Sequence, residues 1–274
     1  MIDILCYLKK TLISKTADMQ SDEFTIRGIW NFTMQCQPNS NERIFTESGC
    51  LVATSRLGAS FRVGSQLAPI PASLIASDGR QVEEVDDRAM QVAILDACYS
   101  VLPHKAPIAE HILDGDTVGK SIQRAQIVCA EIELIKDRLA ISKPTVLMIG
   151  IVQTVVKRLQ DSGMMTILSD LDSRIIGSRI AGIEVQDGKL NQSLIHDCDI
   201  ILATGMTITT ATLDEIVATA KQYSKPLVMF AQTGSNFAEE YINLGIDSVL
   251  AEHYPWYSVP GRSVIEVFRS TKDS

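Results

Sequence analysis

The fold class follows from the segment Thr145-Val-Leu-Met-Ile-Gly-Ile-Val152, which is almost wholly apolar and is followed by a more polar segment, residues 153–162. A short strand without polar alternation is typical of a parallel sheet that is buried on both faces. The following segment has helical spacing and ends at Gly163. We therefore predict a strand followed by a helix, which is the repeating unit of a Rossmann-like domain.

The same alternation continues toward the C-terminus. Further strands are predicted over residues 165–169, 199–203, 226–231 and 248–251, and helices over residues 212–223 and 236–244, with a final helix over residues 264–271. The predicted fold class is α/β, with a C-terminal Rossmann-like parallel sheet that carries helices on both faces. We assign this domain to residues 144–274.

The first 105 residues show a different pattern. Helices are predicted over residues 2–17 and 86–102, strands over 24–37 and 49–55 around a turn at 37–41, and loop over 57–76. This order predicts a small α+β domain over residues 1–105. Residues 106–143 form a connecting segment followed by a long helix over 117–140, which ends before Pro144.

Composition limits the possible partners. The chain has 25 basic and 33 acidic residues, a net charge of −8, so its long-range field repels nucleic acid and anionic membranes. No apolar run reaches the roughly 18–20 residues of a spanning helix, and Met1–Tyr7 has no signal-peptide pattern. We expect a cytoplasmic protein with a small-molecule ligand, and a homo-oligomer remains an option. The six dispersed cysteines are expected to be reduced core thiols.

In an open parallel sheet, ligands bind outside the carboxyl ends of the strands. The first such loop, starting at Gly150, lacks the G-x-G-x-x-G pattern, which argues against a dinucleotide. Asp170, with Asp172 close by, ends the second strand about 20 residues after Gly150, where Rossmann domains place a carboxylate for a ribose diol. The alternative is that Asp170 only caps its own loop.

The segment Thr204-Gly-Met-Thr-Ile-Thr-Thr-Ala-Thr212 is the most unusual in the chain. Gly205 would let a ligand approach the backbone closely, and Thr204, Met206 and Thr207 supply hydroxyl and amide groups for a carboxylate, phosphate or hydroxyl. The alternative is structural, with Thr212 and Glu215 forming a capping box for the next helix. Gln232, in the loop after the following strand, is a further predicted ligand contact.

An aromatic cluster with a histidine follows the last predicted strand on the ligand side. We name His253, Tyr254 and Tyr257 as candidate catalytic residues, with packing under a loop as the alternative. No sequence-local set of Cys, His or carboxylate side chains predicts a metal site. Distant residues such as Cys50, His253 and Asp170 could still converge on folding.

Five segments in order resemble the heavy-metal chelation family, namely residues 146–150, 167–170, 198–205, 212–215 and 244–247. The resemblance implies a small N-terminal domain of enolase N-terminal-like fold, a Rossmann-like C-terminal domain, and a role in handling metals or metal chelators in the cleft between them. The chain departs from the family where Thr210-Ala211 replaces the usual Asn-Gly, and where Ala231-Gln232-Thr233 replaces Gly-Pro-Ser/Thr. Altered loops on a retained scaffold imply a changed ligand or reaction.

Three functions stay open on these grounds. The preferred hypothesis is an enzyme that uses an adenosine-containing ligand, with S-adenosylmethionine as the candidate substrate or cosubstrate for transfer or intramolecular displacement, since this ligand needs no pyrophosphate cradle. The alternative is the metal- or metal-chelate-binding protein that the resemblance implies, and the third is a non-catalytic small-molecule sensor. A bound metal is the less favoured cofactor.

Overall fold

The structure is a computed structural model that describes residues 3–36, 45–64, 66–82, 85–254 and 261–271. The helices in these residues are α1 (Ile4–Lys15), α2 (Arg88–Tyr99), α3 (Thr117–Leu139), α4 (Gln153–Asp161), α5 (Asn191–Asp197), α6 (Met206–Thr209), α7 (Leu213–Gln222) and α8 (Ala238–Asn243). None of these helices is long and apolar enough to cross a bilayer.

The strands of the described residues form two sheets. They are β1 (Gly28–Cys36), β2 (Phe45–Ala53), β3 (Leu57–Arg62), β4 (Ala109–Leu113), β5 (Thr145–Ile149), β6 (Met165–Asp170), β7 (Arg179–Ile180), β8 (Ile183–Asp187), β9 (Ile200–Thr204), β10 (Leu227–Ala231), β11 (Ser248–Glu252) and β12 (Ser263–Arg269). The small sheet has the order β1-β2-β3 and is antiparallel.

The large sheet has the order β4-β12-β11-β10-β9-β5-β6-β8-β7. The six strands from β11 to β8 are parallel to one another. At the edges, β12 is antiparallel to β11, β4 is antiparallel to β12, and β7 is antiparallel to β8. Within β5, Leu147 and Ile149 face one core cluster, and Val146 and Met148 face the other. Both faces are therefore buried, which confirms the predicted α/β class and explains the apolar strand pattern.

Each face of the large sheet is covered by its own set of helices. Helices α3 and α4 pack on one face, and α1, α2, α5, α7 and α8 contribute to the core on the other. The core on this second face is continuous from Leu8 and Met90, in the N-terminal region, to Met229 and Val249 in the sheet. The division of the chain at residues 105 and 143 stays a prediction.

Several polar contacts lock the small N-terminal sheet and its helices onto the large sheet. The buried carboxylate of Asp96, on α2, accepts hydrogen bonds from Ala59 N in β3 and from Asn236 N before α8, both at 2.9 Å. The Phe61 amide of β3 donates to Thr233 Oγ1 at 2.9 Å. These bonds fix β3 against the loop that follows β10.

Two parts of the sequence prediction need correction. The predicted helix over residues 264–271 is wrong, because Ser263–Arg269 forms β12, with every second residue buried between β11 and β4. The predicted loop over 57–76 contains β3, whose four buried residues in a row gave no alternating pattern. In both segments, tertiary pairing decides between structures that local sequence does not separate.

A buried ion pair anchors α3 to the sheet. The Arg124 guanidinium donates to both carboxylate oxygens of Glu252 at 2.6 Å, and these side chains are 2% and 0% exposed. Ser263 Oγ at 3.0 Å and Gln232 Nε2 at 2.8 Å also donate to this carboxylate. The Glu252 carboxylate thus joins α3, β11, β12 and the loop after β10.

We expect Arg124→Met to lower the free energy of unfolding by about 3–5 kcal/mol, because it removes the guanidinium that donates to both oxygens of the buried Glu252 carboxylate. The matched control is Arg27→Met, which removes the exposed pair with Asp22, whose side chains are 55% and 84% exposed, and should cost less than about 1 kcal/mol. Urea denaturation measures both. Equal losses in the two variants would contradict the anchoring role.

Candidate functional site

A cleft of about 670 Å³ lies at the carboxyl ends of the parallel strands. The chain leaves β5 toward β6 on one side and returns as β9 on the other, so the strand order reverses between β5 and β9. Ligands of open α/β sheets bind at such a reversal, and the volume lies within the usual range for small-molecule sites. The small sheet supplies the facing wall, including Glu47 and Arg62.

The structure brings together every residue that the sequence predicts to bind a cofactor. The cleft lining contains Gly150, Asp170, Asp172, Thr204, Gly205, Met206, Thr207 and Gln232. They come from four loops that are far apart in the sequence but meet at one edge of the sheet. Their binding role stays a prediction.

Two glycines let the backbone segments at this edge come together. Gly150 has φ of +79°, and a Cβ there would lie 2.2 Å from Thr204 Oγ1. A Cβ at Gly205 would lie 2.4 Å from the Thr233 carbonyl oxygen. Gly205 therefore makes room for the loop after β10, and the close approach of a ligand that the sequence suggested there stays a prediction.

The threonine segment satisfies most of its hydroxyl groups internally. The hydroxyls of Thr207, Thr209, Thr210 and Thr212 bond to carbonyl oxygens of the same segment. The predicted capping box is wrong, since the Thr212 side chain does not cap α7. By contrast, Thr204 Oγ1 is buried without a hydrogen-bond partner in the described residues.

Ala211 keeps a backbone conformation that suits glycine. Its φ is +59°, in the left-handed region that costs alanine free energy. This is the position where the resembling family usually has the glycine of Asn-Gly. A glycine would adopt the backbone conformation seen at Ala211 without this cost.

Ala211→Gly should therefore raise the free energy of unfolding by about 0.5–1 kcal/mol, because glycine adopts positive φ without a Cβ clash. The control is Ala130→Gly on the exposed side of α3, which should lower it by about 1 kcal/mol. Thermal or urea unfolding distinguishes the two. Destabilisation by both substitutions would show that Ala211 is not strained.

The position of Asp170 fits both of the interpretations that the sequence left open, and its contact with a ligand stays a prediction. Its Oδ1 accepts a hydrogen bond from Asp172 N at 2.9 Å, so it shapes its own loop, and it also lines the cleft. Burial raises the pKa of the Asp170 carboxyl, and the charge of Asp172 acts in the same direction. Both carboxylate oxygens of Asp172 accept hydrogen bonds from the Arg174 guanidinium, and the shortest joins Nη2 to Oδ2 at 2.7 Å.

The cleft differs in charge from the rest of the chain. Its described lining has four basic side chains and three carboxyl groups: Arg62, Lys157, Arg174 and Arg179 against Glu47, Asp170 and Asp172. The whole chain has a net charge of −8. The lining is thus more favourable to an anion than the protein as a whole.

The three candidate catalytic residues do not meet in the described cleft. His253 is absent from the lining, and its ring nitrogens contact Ser235 Oγ at 3.1 Å and Glu266 Oε2 at 3.0 Å. Tyr254 is partly exposed and also lies outside the lining, while Tyr257 lies outside the described residues. Their catalytic role stays a prediction that the described geometry does not support.

The contact between His253 and Glu266 is an ion pair when both groups are charged. Burial lowers the pKa of His253, but the hydrogen bond and charge of Glu266, together with the charges of Asp96 and Glu252, raise it by more, so the net shift is upward. The same hydrogen bond lowers the pKa of Glu266. The pair joins β12 to the end of β11, and the stability that it contributes depends on pH.

We expect His253→Gln to destabilise the protein most between pH 4.5 and 6.5, the ordinary pKa values of the two groups. The contribution of His253 is complete below pH 6.5 and is lost as pH rises through its raised pKa. That of Glu266 is complete above pH 4.5 and is lost as pH falls through its lowered pKa.

Urea unfolding at several pH values measures this difference between wild type and variant. His196→Gln provides the exposed control, because that side chain is 63% exposed. A destabilisation by His253→Gln that stays constant up to about pH 8.5 would contradict the ion-pair assignment.

The described side chains do not fit a directly bound transition metal. Such an ion needs three or four convergent Cys, His or carboxylate ligands. Among the described residues, no three or more His, Cys, Asp or Glu side chains form such a group, and Cys50, His253 and Asp170 do not converge. The described cleft lining contains neither His nor Cys.

Comparison with known proteins finds one family whose sequence pattern matches part of this chain. Residues 137–250 match the DUF364 family, which is described as "Putative heavy-metal chelation". The structure is similar to a DUF364 protein with unknown function from Pyrococcus horikoshii, with TM-score 0.55 and 14% identity over 96% of this chain and 99% of that one. A DUF364 protein from Desulfitobacterium hafniense gives TM-score 0.56 and 9% identity over 94% and 98%.

These likenesses confirm the resemblance that the sequence suggested, and at such identities the structures establish the fold alone. The search of curated proteins found no match.

Proposed function

We propose that this chain, whose residues 137–250 carry the heavy-metal chelation family pattern, binds a metal ion together with an anionic organic chelator. The complete chelate is the ligand, and the cleft at the ends of β5, β6, β9 and β10 is its site. The observation that carries the proposal is the described lining, which has guanidinium, ammonium, carboxylate, hydroxyl and amide groups but no His or Cys. Such groups recognise the organic part of a ligand.

Charge supports an anionic ligand at this place. The described lining has one more basic side chain than carboxyl groups, although the chain as a whole is acidic. Arg and Lys side chains make strong, charge-assisted hydrogen bonds to carboxylates. Asp170 and Asp172 can accept hydrogen bonds from amine or hydroxyl groups of the same chelator, or from water on its metal.

The adenosine-containing ligand is the competing candidate. In its favour, Asp170 ends β6 inside the cleft, where a ribose diol would meet a carboxylate. S-adenosylmethionine carries one carboxylate but also an ammonium and a sulfonium cation, so it offers less negative charge to the basic side chains of the lining than a polycarboxylate chelator does. The enzyme hypothesis depends on this ligand, whereas chelate binding requires no catalytic residue.

Calorimetric titration of the whole chain separates these ligands. The probes are a nickel(II) salt, citrate, the nickel–citrate complex and S-adenosylmethionine. We expect 1:1 binding of the complex and no 1:1 binding of the free ion in a weakly coordinating buffer. Lys157→Gln should weaken binding of the complex about two- to fivefold, because it removes one exposed cation from the lining.

The matched control is Lys143→Gln, an exposed lysine before β5 and thus at the opposite edge of the sheet, which should leave the affinity unchanged. Tight 1:1 binding of free nickel would contradict the proposal, because it would show that the protein coordinates the metal ion directly. Binding of S-adenosylmethionine with no heat from nickel–citrate would favour the adenosine ligand. The absence of heat from nickel–citrate and from the equivalent iron(III) and zinc complexes would reject the proposal.

A further inference from the structure

We propose that Arg62 holds a carboxylate group of the ligand through its Nε–H group. This inference rests on the proposed function, since it assigns a contact to the chelator in the same cleft. Arg62 is the last residue of β3 and lines the cleft from the small sheet. Its side chain is only 8% exposed.

The guanidinium group of Arg62 is held in place by its neighbours, but one of its N–H donors has no hydrogen-bond partner among the described residues. Its Nη2 lies 2.6 Å from Asp87 Oδ2 and 2.9 Å from Asn31 Oδ1, and its Nη1 donates to Gln66 O at 3.4 Å. Its Nε is buried and has no hydrogen-bond partner among the described residues. Leaving a buried charged donor unpaired is unfavourable, so an acceptor on the ligand would remove this cost.

The backbone holds Arg62 against the large sheet. The adjacent residue, Phe61, donates its amide hydrogen to Thr233 Oγ1, and Thr233 is a buried residue of the cleft lining. The position of Arg62 is therefore set by the contact between the small sheet and the loop after β10. The backbone at the donor is thus preorganised, and because the Arg62 Nε atom itself has no contact with solvent, a small shift of the side chain is needed to bring its N–H to the ligand.

A second unpaired polar atom belongs to the same cleft. Thr204 Oγ1, at the end of β9, is buried without a partner among the described residues, and Gly150 leaves the space beside it free of a side chain. One unpaired atom thus comes from the small sheet and one from the large sheet. A ligand with several oxygen groups could satisfy both.

A carboxylate fits the free donor better than a phosphate. The single Nε–H suits one charge-assisted hydrogen bond to a carboxylate oxygen. Phosphate sites usually collect several backbone N–H groups from a glycine-rich loop before a helix, and the loop after β5 lacks that pattern.

Arg62→Lys is the decisive variant, because lysine keeps a positive charge beside Asp87 but has no Nε–H group at this position. We expect its affinity for citrate, measured by calorimetry, to fall at least about tenfold. The matched control is Arg56→Lys, an exposed arginine just before the opposite end of β3, which should bind citrate like the wild type. The melting temperature of each variant shows whether it is folded.

Nitrogen-15 NMR of the wild type gives a readout that does not depend on a variant binding ligand. The arginine Nε–H resonance that disappears in Arg62→Lys identifies the group, and citrate should shift it in the wild type more than inorganic phosphate does. Unchanged citrate affinity in folded Arg62→Lys, or no citrate-dependent shift, would overturn the assignment. A larger shift with phosphate would assign the donor to a phosphate ligand and would overturn it as well.

The outcomes for Arg62 and for the proposed function can be separated. If nickel–citrate binds and Arg62→Lys binds it equally well, the chelate proposal stands and the Arg62 assignment fails. If citrate shifts the Arg62 resonance but no metal complex binds in the cleft, the Arg62 assignment stands and the chelate proposal fails. If neither citrate nor its complexes bind, both fail.

Discussion

The cleft depends on one buried carboxylate, that of Asp96. One of its oxygens accepts the Ala59 amide of β3, and the other accepts the Asn236 amide of the loop before α8. Burial raises the pKa of this carboxyl to about 6, while the two amide donors act in the opposite direction. A buried carboxylate is retained only where hydrogen bonds compensate its lost hydration, and here both donors lie where the two sheets meet. Asp96 therefore fixes the distance between the walls of the cleft.

The two walls contribute different chemistry. The large sheet supplies the ends of parallel strands, where loops with carboxylate, hydroxyl and amide groups converge at the reversal of strand order. The small sheet supplies Arg62, whose position follows from the bond between Phe61 and Thr233. A ligand that contacts both walls would also connect the two sheets. Affinity should then depend on their relative placement as much as on any single residue.

A buried ion pair behind the cleft also orients the side chain of Gln232, which lines the cleft. The Gln232 amide nitrogen donates to the Glu252 carboxylate, which also accepts two hydrogen bonds from the buried guanidinium of Arg124. A carboxylate engaged in this way can only accept, so the nitrogen side of the amide is turned toward the core and the oxygen remains as its free acceptor. The long helix α3 thus influences the chemical face that Gln232 can offer in the cleft.

The parallel sheet was predictable from local sequence, because a strand that is buried on both faces is apolar along most of its length, as in residues 146–149. The sequence also located the cofactor-binding candidates, because Asp170, Thr204 and Gln232 each stand at or just after the carboxyl end of a predicted strand, and parallel strands share that edge. Local sequence did not predict that Ser263–Arg269 forms a strand, because this segment is stabilised by pairing with β11 and β4. Local sequence did not show that Arg62 lies in the cleft, or that His253 pairs with Glu266 and lies outside the cleft lining. Both depend on contacts between residues far apart in the chain, and no local pattern encodes the distance between two such residues.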